Sequence, residues 1–150
     1  MSYPFNIRVY FLLWNEERRQ LLFSSEKIGN RIYLKFPGGG LEYGEGTREC
    51  VEREGMEELG VSIRPEKLFG MTENFLPSLF KSGEQVLAIY YLAGCDEPKQ
   101  IHAPEGSDYD SNYTGPIWLS PERIDPEHLV LASDKEILEK FKRKFRDLFA

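Results

Sequence analysis

The chain has 150 residues, 41% of them hydrophobic and 29% charged, which suits a single globular domain over 1–150 rather than a disordered segment. Its net charge of −6 argues against a nucleic-acid partner, because binding a phosphate backbone calls for a basic footprint. No apolar run approaches the ~20 residues that span a bilayer, and the N-terminal stretch has neither a basic lead nor a small-residue cleavage site. A cytoplasmic protein without membrane contact is therefore expected. Cys50 and Cys95 form no C-x-x-C pair and read as free thiols. His102 and His128 are isolated, which argues against a His/Cys zinc site.

In chain order, Phe5 to Trp14 (FNIRVYFLLW) predicts a buried strand, and Asn15 to Arg19 a polar turn. Gln20 to Ser24 reads as the returning hairpin strand, Ser25 to Asn30 as a loop, and Ile32 to Phe36 as a short strand. Pro37 and three glycines follow, then a glycine-punctuated turn and a helix from Thr47, the expected N-cap, to Gly60, the expected C-terminal glycine. Ser62 to Leu68 and Gly70 to Phe75 read as two extended segments. Pro77 to Gly83 is a loop, and Gln85 to Gly94 (QVLAIYYLAG) is a central strand, apolar on both faces.

The polar stretch from Cys95 to Gly115 is a long loop of the kind that carries function. Pro116 to Leu119 predicts a strand, and Ser120-Pro121 a cap and first turn. A last helix should begin at Ser133, with Glu136 completing a capping box. Its apolar positions are Ile137, Phe141, Phe145 and Leu148. The basic residues among them read as a solvated outer face, given the acidic total.

Projected at 100° per residue, the first helix presents two faces. Val51, Gly55 and Leu59 form a stripe that faces the sheet. Glu54, Glu57 and Glu58 share the adjoining arc, where like charges repel unless a cation intervenes. An acidic solvated face is the alternative for the helix alone. Gly38, Gly39 and Gly40 upstream read as a flexible cradle, with backbone free to approach a ligand closely. No Gly-Lys-Ser/Thr follows, so this is not a P-loop, and the glycine spacing is wrong for a dinucleotide fingerprint.

Gly39, Glu45, Arg53, Glu54, Glu57, Glu58, Gly60 and Val61 resemble the Nudix box, G-x5-E-x7-R-E-U-x-E-E-x-G-U, where U is a bulky aliphatic residue. Gly55 alone departs, standing where the first aliphatic residue belongs. A neighbouring side chain, an aromatic from a strand being one option, must fill the space it leaves. The resemblance implies an α+β fold, an α/β/α sandwich around a mixed β-sheet. It also implies Mg²⁺- or Mn²⁺-dependent hydrolysis of a pyrophosphate bond in a nucleoside diphosphate linked to another moiety.

By the same resemblance, Glu54, Glu57 and Glu58 are metal ligands, with the Gly38 carbonyl completing the set, and Arg53 pairs with Glu45. The general base belongs either to the box or to a distant loop, for which Glu105, Asp108 and Asp110 are candidates and Glu105 is preferred. A nucleobase needs an aromatic platform, for which Phe75, Phe80, Tyr91 and Tyr109 are available, Phe75 and Tyr91 foremost. The partner is then a small nucleotide-derived substrate, and a homodimer is an option because relatives commonly dimerise. Two other readings stay open: a nucleotide sensor without catalysis, and an RNA 5′-end pyrophosphohydrolase, which the negative charge disfavours.

Overall fold

A computed structural model describes residues 3–104 and 113–149. Its centre is a seven-stranded mixed sheet with the main order β3-β2-β1-β6-β5. The strands are β1 (Phe5–Asn15), β2 (Gln20–Ile28), β3 (Arg31–Lys35), β4 (Gly38–Gly40), β5 (Arg64–Met71), β6 (Gln85–Gly94) and β7 (Gly115–Leu119). β1 runs parallel to β6 and antiparallel to β2 and β4. β7 pairs with β2.

Two helices cover opposite faces. Along β1, Val9, Phe11 and Leu13 join Cys50, Val51 and Leu59 of α1 (Thr47–Leu59) in one apolar cluster. The intervening Tyr10 and Leu12 join Ile137, Leu138 and Phe141 of α2 (Ala132–Lys144) in the other. This two-residue alternation with both faces buried explains why the strand reads as an unbroken apolar run. The expected sandwich is present, as are the α1 packing stripe and the central position of β6. Among the described residues, no helix is long and apolar enough to cross a membrane.

Several local expectations are corrected. Ser25 to Asn30 is not a loop: β2 continues to Ile28 and turns into β3 through Gly29, which takes φ +63°. The two extended segments expected over Ser62 to Leu68 and Gly70 to Phe75 are replaced by one strand, β5, ending at Met71, whose register against β6 shifts between Pro65 and Lys67 and again between Leu68 and Gly70. These irregularities put polar residues where a regular strand would alternate.

Gly46, not Thr47, caps α1, and Glu49 reaches back to accept from the Gly46 N–H at 3.0 Å. Thr47 instead hydrogen-bonds the Tyr91 hydroxyl at 2.7 Å. Ser120 makes no side-chain cap, and only a 3-10 turn, Pro121–Arg123, follows it. α2 starts at Ala132 after Leu131, so the Ser133–Glu136 capping box does not form. Ser133 is buried there and pairs with the Tyr90 hydroxyl at 2.8 Å, a helix-to-sheet partnership that outcompetes the local cap. The space beside Gly55 is filled by an aliphatic side chain, Ile63, rather than an aromatic one.

Candidate functional site

The glycines that read as a flexible cradle form a strand. In β4, Gly38 lies opposite Tyr10, Gly39 opposite Val9 and Gly40 opposite Arg8. The flanking bonds, Phe11 N–H to Pro37 O at 3.0 Å and Leu41 N–H to Ile7 O at 2.9 Å, set the phase of the ladder. That phase turns the peptide groups of Gly38 and Gly40 away from β1. The Gly38 N–H donates to Glu58 Oε2 at 3.3 Å, and the Gly40 carbonyl accepts from Arg53 Nη2 at 3.0 Å. A Cβ on Gly38 would meet Val9 O at 2.2 Å, and one on Gly39 would meet Glu54 Oε1 at 2.4 Å. Close approach, together with φ +139° at Gly38, accounts for these two glycines.

α1 carries its charges to that strand, and Arg53 is the hub. Its guanidinium grips Glu45 with two bonds, Nε to Oε2 at 2.9 Å and Nη2 to Oε1 at 2.7 Å. Its Nη1 reaches Glu54 at 3.1 Å and Glu57 at 3.2 Å. The arrangement binds the turn before α1 to the helix and to β4 at once, and the two-pronged geometry suits arginine rather than lysine. The Arg53 hydrogen bonds hold the Glu45 carboxyl down at about 2, while Glu45 raises the already high value of Arg53.

Glu58 differs from its neighbours. Its flank is open to water, but its carboxyl end turns in towards Gly38. Burial pushes that carboxyl up to about 7, Lys35 opposes the shift and Glu54 adds to it. A desolvated carboxyl beside a second carboxylate is chemistry that a hard cation relieves, and three glutamates on one arc supply the oxygen donors that Mg²⁺ or Mn²⁺ takes. In their present rotamers Glu54 and Glu57 lean on Arg53 and Glu58 on Gly38. Among the described residues no three His, Cys, Asp or Glu side chains are gathered closely enough to hold an ion.

On the other side of β4 lies a cavity of about 270 Å³. Arg8, Tyr10 and Lys35 line its polar wall, and Leu79, Phe80 and Leu131 part of its apolar wall. Phe80 thus lies in it. Tyr91 does not: it is buried on the α1 side, with its hydroxyl tied to Thr47. Phe75 is exposed and borders a separate small recess against α2. Glu105, Asp108, Tyr109 and Asp110 lie outside the described residues.

The sequence reading passed over Arg8, Tyr10 and Lys35, although a lone arginine inside the apolar run FNIRVYFLLW was a signal. It also missed Asp134, fully buried in the first turn of α2 and bound by the Tyr90 hydroxyl. No spacing in the sequence marks that contact.

The NUDIX domain family model matches residues 4–141, and the chain belongs to that family. Its class is that of a Nudix pyrophosphohydrolase. Solved structures agree on the fold. A NUDIX hydrolase from Nitrosomonas europaea superposes with a TM-score of 0.68 at 21% identity, over 94% of this chain and 90% of that one. The MutT protein from Methanosarcina mazei Go1 gives a TM-score of 0.66 at 24% identity, over 96% and 97%. An ADP-ribose pyrophosphatase from Streptococcus suis 89-1591 gives 0.58 at 15% identity, over 92% of each chain.

Proposed function

We propose that the chain, acting as one domain, uses a divalent cation to hydrolyse the pyrophosphate bond of a small nucleoside diphosphate derivative. The observation that carries this reading is the seating of Glu54 and Glu58 against the glycine strand, with Arg53 fixing the turn behind them. Glu54, Glu57 and Glu58 would hold the cation, and the Gly38 peptide group, turned outwards, lies beside them. A bound Mg²⁺ or Mn²⁺ supplies charge neutralisation of the pyrophosphate and acidifies water.

The chain's own residues do the rest. Arg53 keeps Glu54 and Glu57 in register, β4 lets the Glu54 carboxylate close on its backbone because it carries no side chains, and the cavity beside it receives the organic part. In the overall reaction water adds to phosphorus, the P–O–P bridge breaks, and two phosphate-bearing products leave. Glu105 is proposed as a general base. The MutT and ADP-ribose pyrophosphatase names of the structural neighbours support a nucleotide-derived substrate.

The test is a panel of nucleoside triphosphates, nucleotide sugars, ADP-ribose and dinucleotides. Phosphate and mononucleotide release would be followed with Mg²⁺, with Mn²⁺ and with EDTA. Cation-dependent turnover of at least one compound is expected. Tight binding of a nucleotide without any turnover would replace the hydrolase with a sensor.

A further inference from the structure

We propose that Arg8 is the substrate-anchoring residue of the cavity beside β4, its free guanidinium edge taking a phosphate of the nucleotide while the apolar wall takes the base. This deepens the hydrolase reading and rests on it only for the substrate class.

Most polar groups of the cavity already have a partner within the chain. Lys35 is neutralised by Glu26 at 2.8 Å. The Asn6 amide donates to Glu84 at 3.2 Å, and the Ser78 hydroxyl accepts from the N–H groups of Phe80 and Lys81. The Tyr10 hydroxyl accepts from Arg8 Nε at 2.8 Å. The two Nη groups of Arg8 are different. Among the described residues no acceptor lies within bonding distance of them, and Glu54 and Glu26 act on the guanidinium only through their charge.

Tyr10 orients this edge. Its hydroxyl holds Nε, and its ring sits 5.7 Å from the guanidinium carbon. A guanidinium fixed at Nε with both Nη groups unspent presents the planar fork that matches a phosphate or carboxylate. Arg8 Nη1 lies near the backbone of Gly40, where an added Cβ would be in ordinary van der Waals contact at 3.7 Å. On the opposite face of the same strand Glu54 packs more closely, and a Cβ on Gly39 would clash with its carboxylate. One thin strand of glycine therefore separates the anchor from the catalytic carboxylates. The cavity, at about 270 Å³, is at the lower end of small-molecule sites and has room for one organic moiety rather than two.

The test is titration of metal-free protein in EDTA with nucleoside monophosphates, the matching nucleosides and inorganic phosphate. Wild-type protein should bind at least one monophosphate more tightly than its nucleoside and more tightly than inorganic phosphate. Arg8→Gln should weaken that binding about 10–100-fold, the value of one or two charge-assisted bonds. Tyr10→Phe, which keeps the charge and loses the orientation, should fall between the two. On a turned-over substrate, Arg8→Gln should raise KM by a similar factor with kcat within about threefold, the mark of lost uniform binding.

Unchanged thermal unfolding in Arg8→Gln would show that the effect is not loss of fold; if that variant is unstable, Arg8→Lys supplies the comparison. Equal binding by wild type and the arginine variants, or no monophosphate binding by wild type, overturns the proposal. Metal-free binding that depends on Arg8, in a protein that turns nothing over, would sink the hydrolase reading and leave the anchor standing. Turnover indifferent to Arg8 would do the reverse.

Discussion

A Cβ atom on Gly55 would lie 2.5 Å from Cγ1 and 2.8 Å from Cβ of Ile63, so the glycine in α1 and the isoleucine ahead of β5 pack as one unit. Gly55→Ala gains about 1 kcal/mol of helix propensity but forces Ile63 to move, and overpacking costs about 1–3 kcal/mol. The obstructing atoms include Cβ, which cannot swing aside, so the net effect should be destabilising. Urea unfolding should show a lower midpoint for Gly55→Ala. A double-mutant cycle with Ile63→Ala should show coupling, the second substitution costing less once the first is made. Cation-dependent activity should survive at temperatures where the variant is folded. Complete loss of turnover in a folded variant would mean that Gly55 serves the chemistry.

That pair also shows what a sequence can disclose. The stripe Val51–Gly55–Leu59 follows from helical period alone, and the run FNIRVYFLLW announces a strand buried on both faces. The box glutamates and Arg53 stand out because their spacing along one helix is fixed by local geometry. What meets them is not local. Whereas Tyr10 holds Arg8 from two residues along the same strand, Glu58 seated on Gly38 and Tyr90 reaching Asp134 are products of how strands and helices pack, which no short window of sequence encodes. For the same reason Ser133 imitates a helix cap and serves instead as a hydrogen-bond partner between α2 and β6.

Glu57→Gln and Glu58→Gln should each lose most of the cation-dependent rate while keeping the fold. The loss should exceed the about 10–100-fold typical of removing an outer-shell partner of a metal site. Titration with Mn²⁺ should show the weakened cation affinity independently of turnover. Near-normal rates in both variants would remove the helix arc from the cation site.

The Arg53–Glu45 grip predicts acid sensitivity. Glu45 ordinarily titrates at 4.5 and is held at about 2 in the fold, so its ionised form is favoured by folding. The stability it contributes is present above about pH 4.5 and is lost as pH falls towards 2. Glu45→Gln should therefore cost about 1–3 kcal/mol at pH 7, the range for a hydrogen-bonded charged partner. The difference from wild type should shrink on acidification. Urea unfolding at pH 7, 4 and 3 measures it, and a difference that stays constant with pH would deny the pair this role.

Asp134 should act in the opposite direction. Burial lifts its carboxyl from 3.8 to about 7, against the pull of the Tyr90 hydroxyl, Lys35 and the Phe36 N–H. Ser133 and Tyr10 also face this network, through their contacts with Tyr90. The folded value lies above the unfolded one, so folding favours the protonated acid. Its contribution is complete below about pH 3.8 and disappears as pH rises through about 7. Asp134→Asn keeps an acceptor for Tyr90 and never ionises. Relative to wild type, this variant should gain stability between pH 5 and pH 8, measured as the change in urea midpoint at each pH. If the variant and wild type differ by the same amount at both values, Asp134 is ionised throughout that range, and the Tyr90 and Lys35 contacts outweigh its burial.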